Sequence, residues 1–175
     1  YGFYPCDTYA LNEADYTRLE DVCRSGCIDV IGEIGLDYHY EDTDKDVQKE
    51  AFRRQLQLAA DCHLPVSIHM RDATQDGMEI LRACAKTPFV LHCFSGSVET
   101  ARALPQVAQA VPADRLLTET DSPYLTPVPF RGKENEPMYV RYTFEKLCAL
   151  REEDPQTLSE QIMENYDCFL KQPLK

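Results

Sequence analysis

The sequence has few basic residues and no long apolar run, and each absence excludes a class of protein. Lysine and arginine total 18 against 30 acidic residues, which gives a formal net charge of −12. This balance argues against a large phosphate-binding surface, because such surfaces are usually basic. No stretch approaches the roughly 18 apolar residues of a membrane span. We therefore expect neither a membrane protein nor a protein that covers long stretches of duplex.

Paired cysteines of the kind that bind zinc are also lacking. The eight cysteines are scattered, and Cys23 with Cys27 is the only close pair. No matching second pair completes a zinc site. We interpret the cysteines as reduced thiols, which predicts a cytoplasmic location, rather than as the disulfides of a secreted scaffold.

Short apolar runs alternate with amphipathic helical stretches along the 175 residues. This length suits one globular domain with a substantial core. The alternation predicts an α/β fold in which helices connect the strands of a parallel sheet. The predicted strands are 28–36, 65–69, 89–93 and 116–120, and the predicted helices are 12–23, 47–62, 72–85, 98–110, 139–150 and 155–170.

Four potential metal ligands lie at the C-terminal ends of these apolar runs, namely Glu33, His69, His92 and Asp121. The C-terminal ends of parallel strands meet at one rim, where α/β enzymes keep their active sites. A single histidine at a strand end is more often structural, but four such residues together favour a metal site. Carboxylates and imidazoles bind Zn²⁺, Mn²⁺, Fe²⁺ or Mg²⁺. The pattern thus predicts a metal-dependent hydrolase.

Several polar residues follow these strand ends and are candidates for binding phosphate. Arg71 lies two residues after His69, and Arg131 and Lys133 follow Asp121. Arginine offers a planar fork to phosphate and lysine a point charge. Ser95 could offer a hydroxyl, although a plain turn explains it equally well. All four are interpreted as substrate-binding, with solvated surface residues as the alternative.

Five segments carry a family resemblance that extends over nearly the whole chain. The segments are 32–38 (GEIGLDY), 68–73 (IHMRDA), 91–96 (LHCFSG), 119–125 (ETDSPYL) and 131–133 with 135–137 (RGK and NEP). Together they resemble the TatD family of metal-dependent deoxyribonucleases, and their order along the chain is that of the family.

The resemblance implies a TIM-like (β/α)8 barrel and an enzyme that hydrolyses DNA phosphodiester bonds, commonly from the 3′ end. It implies one or two divalent metal ions, Mg²⁺, Mn²⁺ or Zn²⁺. Glu33 would bridge the metals, His69 and His92 would bind one of them, and Asp121 would bind the other and serve in proton transfer. DNA ends would be the substrate and a monomer the expected state. The alternatives are a metallohydrolase of another ester or amide, and a metal- or partner-binding protein without catalysis.

Two departures from the family pattern affect this expectation. No His-x-His pair is present, and Tyr4 stands where the family often has a histidine before Pro5. The interval between His92 and Asp121 is also short, and a strand expected near 103–106 is not recognisable. We therefore expect a single domain, 1–175, with about five of the eight barrel strands. Three explanations are open: the sequence joins segments of a longer protein, which we favour; the protein is truncated; or it is a degenerate relative that works as an oligomer.

Overall fold

The computed structural model describes residues 1–42, 44–92, 108–109 and 111–171. The chain divides into two compact units, 1–98 with 169–175 and 99–168. Among the residues that the structure describes, none of the helices has the length and apolarity needed to span a bilayer. The two units are described separately.

The first unit is built on a parallel sheet of three strands in the order β1-β2-β3. Gly35 lies opposite His69, and Asp37 lies opposite Arg71. Helices connect the strands, as the alternation predicts. The elements are a 3₁₀ helix (Pro5–Ala10), α1 (Glu13–Arg24), β1 (Ile31–Asp37), α2 (Lys45–Cys62), β2 (Val66–Arg71), α3 (Thr74–Cys84) and β3 (Phe89–Leu91).

Side-chain caps determine where the first two helices begin. The Asn12 side chain accepts hydrogen bonds from the N–H groups of Ala14 and Asp15, at 2.8 and 3.4 Å. The Asp15 carboxylate accepts in return from the Asn12 N–H at 3.0 Å, which completes a capping box. The Asp44 side chain caps α2 by accepting hydrogen bonds from the N–H groups of Asp46 and Val47. This second cap explains why α2 begins two residues before the predicted 47–62.

The sheet is apolar on the face that the helices cover and polar on the other. In β2, Val66 and Ile68 are fully buried, while Ser67 and His69 are partly exposed. Phe52 and Leu56 of α2 belong to the same buried cluster as Val66 and Ile68. Each such buried side chain contributes roughly 1.5–3 kcal/mol by leaving water. This burial fixes which face of each strand carries the polar residues.

The second unit has a helical core. Its described residues form α4 (Val140–Arg151) and α5 (Pro155–Lys171, of which 169–171 are grouped with the first unit), and short 3₁₀ helices at Ala113–Arg115 and Pro137–Tyr139. Leu147, Cys148 and Leu158 form a buried cluster between them. Asp154 caps α5 by accepting from the Thr157 N–H at 2.9 Å, which confirms the predicted start of that helix.

The prediction of a strand at 116–120 is wrong. The backbone at Leu116 is extended, with φ −105° and ψ 132°. A strand also needs a hydrogen-bonded neighbour, and nothing in the described part of the chain pairs with this run. Of the predicted helix 98–110, residues 108 and 109 are described and are helical. The region 103–106 lies outside the described residues.

Candidate metal centre

The polar face of the first unit collects residues from two neighbouring strands. Glu33 and Asp37 are four residues apart on β1, and His69 and Arg71 are two apart on β2. Side chains at even spacing share one face of a strand. The register places Asp37 directly opposite Arg71. Three of the predicted site residues, Glu33, His69 and Arg71, therefore come from one face of the sheet.

Gly35 allows β1 to approach β2 closely beside His69. Its φ is +139°, and a Cβ at this position would overlap the backbone carbonyl oxygen of His69. This backbone conformation is strained for any residue with a side chain. The glycine between Glu33 and Asp37 thus sets the distance between the two strands at the level of His69.

Glu33 and His92 meet across the sheet, although β2 lies between their strands. The distance from Glu33 Oε1 to His92 Nε2 is 3.4 Å, and the side chains are 35% and 11% exposed. The His92 N–H donates to the Ile68 carbonyl oxygen at 2.8 Å, which fixes the backbone directly after β3. The two potential ligands therefore lie side by side. Glu33 is the third of the seven residues of β1, so the prediction that it lies at the C-terminal end of its strand is wrong.

His69 contacts a different carboxylate, that of Asp37. The distance from His69 Nε2 to Asp37 Oδ2 is 3.1 Å, and the Asp37 side chain is fully buried. Asp37 Oδ1 accepts from the N–H of His39 at 3.0 Å. On the other side, the side-chain amide of Gln48 bonds both the N–H and the carbonyl of Asp37, at 2.8 and 3.1 Å. Asp37 is thus held rigidly against the imidazole.

Tyr4 completes this hydrogen-bonded group. Its hydroxyl donates to Asp37 Oδ2 at 3.3 Å and lies 3.1 Å from His69 Nε2. Burial, and then the negative charge of Asp37, raise the pKa of Tyr4 well above its usual range. The phenol therefore stays protonated and remains a hydrogen-bond donor at any physiological pH. The tyrosine that replaces the family's histidine is part of this polar cluster.

The donor types and one of these distances fit a divalent metal. Two ligand atoms about 2.1 Å from one tetrahedral ion lie roughly 3.4 Å apart, which is the distance between the facing atoms of Glu33 and His92. In the described residues, however, no three ligand side chains are grouped closely enough to hold an ion. His69 forms hydrogen bonds with Asp37 and Tyr4 and does not complete a group with Glu33 and His92. The structure thus provides one ligand pair and one adjacent histidine.

His39 lies in the loop after β1. Its Nδ1 is 3.3 Å from Asp72 Oδ2, and both side chains are about half exposed. Its ring also makes an edge contact with Tyr40, with centroids 5.3 Å apart. His39 therefore forms a polar contact at the rim of the sheet.

Asp121, Arg131 and Lys133 belong to the second unit. Asp121 has a left-handed backbone with φ +56°, and its carbonyl accepts from the Tyr124 N–H at 2.8 Å. Arg131 and Lys133 are exposed, and the Lys133 ammonium lies 5.7 Å from the centre of the Phe130 ring. Ser95 lies outside the described residues. Its role as a phosphate ligand stays a prediction.

Two residues of the cluster were not assigned a role from the sequence. Asp37 had an available indication, because it lies at even spacing from Glu33 on one strand. For Tyr4 the indication came only from the family resemblance, in which its position often carries a histidine, because its contact with His69 joins residues 65 positions apart. Both belong to the hydrogen-bonded surroundings of a predicted ligand.

Comparisons with known proteins agree with the motifs. The profile of a family described as "TatD related DNase" matches residues 1–106 and 101–171. An uncharacterized metal-dependent hydrolase of Bacillus subtilis, YabD, is 40% identical over 86% of this chain and 68% of its own length. YcfH of Escherichia coli, described in the same words, is 36% identical over 93% of this chain and 71% of its own length. A relative from Pectobacterium atrosepticum, named a 3'-5' ssDNA/RNA exonuclease, is 31% identical over 94% of this chain and 74% of its own length.

Solved structures support the fold. A TatD homologue of Escherichia coli, YJJV, has a TM-score of 0.90 and 25% identity, and the match covers 98% of this chain and 76% of that one. A TatD family hydrolase of Entamoeba histolytica has a TM-score of 0.79 at 22% identity, covering 95% and 72%. These neighbours imply a TIM-barrel-type fold, of which the described residues form a three-stranded parallel sheet with helices.

Proposed function

The chain belongs to the TatD family of metal-dependent hydrolases, and we propose that it cleaves the phosphodiester bonds of single-stranded DNA from the 3′ end. The observation that carries this proposal is the pairing of Glu33 with His92 at 3.4 Å. The name of the Pectobacterium relative supports the substrate class. The net charge of −12 favours a strand end over a long duplex, because an acidic protein repels an extended row of phosphates.

In the proposed site, Glu33, His69 and His92 hold a divalent metal, Mg²⁺, Mn²⁺ or Zn²⁺. Such an ion supplies Lewis-acid chemistry, since it acidifies water and polarises a phosphoryl oxygen. Asp37 and Tyr4 hold the His69 imidazole in one orientation through their hydrogen bonds at its Nε2. A buried carboxylate that orients a ligand histidine commonly tunes its affinity for metal.

The remaining roles are proposed from the sequence motifs. The Asp121 carboxylate would hold a second metal and would serve as the acceptor for a proton of water. The guanidinium groups of Arg71 and Arg131 and the ammonium of Lys133 bind phosphate oxygens, and Ser95 adds a hydroxyl.

The test is a nuclease assay on two end-labelled forms of one single-stranded oligonucleotide, with Mg²⁺ or Mn²⁺ added. Cleavage from the 3′ end releases a 3′ label at once and shortens a 5′-labelled strand stepwise. Glu33→Gln should lower the rate at least about 100-fold, because even the outer hydrogen-bond partners of metal ligands change activity 10–100-fold. Glu20→Gln is the matched control, since Glu20 is an exposed helix residue that pairs with Arg24.

A substrate panel separates this function from the alternative of another ester or amide. Matched RNA and duplex DNA, a simple phosphodiester and a carboxylic ester are compared under the same metal. Full activity of Glu33→Gln, or faster turnover of the carboxylic ester than of the oligonucleotide, would contradict the proposal.

A further inference from the structure

Asn135 lies at the end of the loop that begins with Asp121, and its side chain is 3% exposed. Its carboxamide nitrogen donates to the carbonyl oxygens of Thr120 and Tyr124, both at 2.6 Å. Its backbone N–H donates to the carbonyl of Pro123 at 3.0 Å. Since both side-chain partners are acceptors, the nitrogen and not the oxygen must face them. One residue thus binds three carbonyl groups within 120–124.

The two carbonyls bound by the carboxamide precede the two left-handed residues of the loop that carry a side chain. Asp121 follows Thr120 with φ +56°, and Leu125 follows Tyr124 with φ +53°. A residue with a side chain persists in this conformation only where its surroundings fix it. The Asn135 carboxamide fixes the peptide plane immediately before each of them. It therefore selects the backbone conformation at Asp121.

The same loop carries two of the four predicted phosphate ligands, Arg131 and Lys133. The Thr126 hydroxyl donates to the Lys133 carbonyl, and the Lys133 N–H donates to the Phe130 carbonyl at 3.1 Å. Hydrogen bonds within the loop thus hold residues 126–133 together, and Asn135 connects the end of the loop to its start through Thr120 and Tyr124. The direction of the Asp121 side chain therefore depends on the position of segment 131–133, and the position of that segment depends on the conformation at Asp121.

We propose that Asn135 is a positioning residue, which holds Asp121 in its left-handed conformation and fixes segment 131–133 beside it. This inference rests on the proposed role of Asp121 in metal binding. It adds a residue that acts through Asp121 and touches neither metal nor substrate.

The test compares Asn135→Asp with a matched change elsewhere in the same unit. Asn135→Asp keeps the shape of the side chain, removes both N–H donors and turns a negative oxygen towards the carbonyls. Asn165 is the control, because its carboxamide also donates to two carbonyls, those of Ala113 and Leu116, at 2.7 and 2.8 Å. Mn²⁺ binding to the purified full chain is titrated by electron paramagnetic resonance, and thermal unfolding is measured on the same samples.

We expect Asn135→Asp to weaken Mn²⁺ binding 10–100-fold, the usual effect of losing an outer hydrogen-bond partner. Asn165→Asp should change it less than about threefold, at a comparable loss of melting temperature. Asp121→Ala should weaken the same binding step. Asn135→Ala, which deletes the donors without adding charge, replaces the aspartate variant if that variant does not fold.

A double-mutant cycle of Asn135→Ala and Leu125→Gly tests the backbone conformation itself. Leu125→Gly should recover more stability in the Asn135→Ala background than in the wild type, because glycine adopts a positive φ without strain. Equal Mn²⁺ affinities of the Asn135 and Asn165 variants, or unchanged binding in Asp121→Ala, would overturn the proposal. If the wild type does not cleave DNA but the Mn²⁺ affinities of the Asn135 and Asn165 variants still differ, the proposed substrate is rejected and the positioning role is supported.

Discussion

The close approach of β1 to β2 at Gly35 makes a strong prediction about stability. Replacing Gly35 by alanine introduces two costs: a side chain at φ +139° and an overlap of its Cβ with the His69 carbonyl oxygen. A residue held in such a backbone conformation costs about 1–3 kcal/mol. Forcing an extra carbon into a packed site costs about another 1–3 kcal/mol. The sum predicts a loss of about 2–6 kcal/mol.

Gly26 in the same unit separates the two costs. Its φ is +72°, and a Cβ there would meet no atom within 4 Å. Gly26→Ala should therefore cost only the backbone term, about 1–2 kcal/mol. A protein of this size loses roughly 2–4 °C of melting temperature per kcal/mol. We expect a decrease of about 2–8 °C for Gly26→Ala and about 4–24 °C for Gly35→Ala.

Urea denaturation followed by circular dichroism measures both variants against the wild type. We expect the unfolding free energy of both variants to depend equally steeply on urea concentration, and the midpoint of unfolding to be clearly lower for Gly35→Ala. A difference between the two variants below about 0.5 kcal/mol would refute it, because the overlap with β2 would then contribute nothing.

Two further predictions concern the polar groups of the first unit. Asp37→Asn removes the negative charge at His69 and should weaken Mn²⁺ binding 10–100-fold in a calorimetric titration; unchanged affinity would show that Asp37 does not act through this histidine. The Tyr38 hydroxyl donates to Asp76 at 2.8 Å and is the main cause that lowers the pKa of that carboxyl. A lowered pKa stabilises the fold above the unfolded-state value and is lost as the pH falls through the folded one. Tyr38→Phe should therefore destabilise the protein in urea at pH 7 more than at pH 2.5, and an equal loss at both would contradict this account.

The elements of the first unit were predictable because their causes are local. Asn12, with an acidic residue three positions later, is a capping box in the sequence itself. The alternating burial of 66–71 follows from apolar residues at every second position. The run 116–120 begins with two apolar residues, Leu116 and Leu117, and is not a strand, because pairing depends on a neighbour that no local pattern supplies. Periodicity predicts an extended backbone, whereas a sheet also requires a partner.

The site divides in the same way between local and non-local causes. Even spacing along β1 predicts that Glu33 and Asp37 share a face, but it does not predict which carboxylate each histidine meets. That choice depends on contacts such as Tyr4 with His69, which joins residues 65 positions apart. Such hydrogen bonds exist only once the backbone is folded, so they have no period in the sequence. Strand spacing therefore determines which side chains can meet, and the non-local hydrogen bonds determine which of them do.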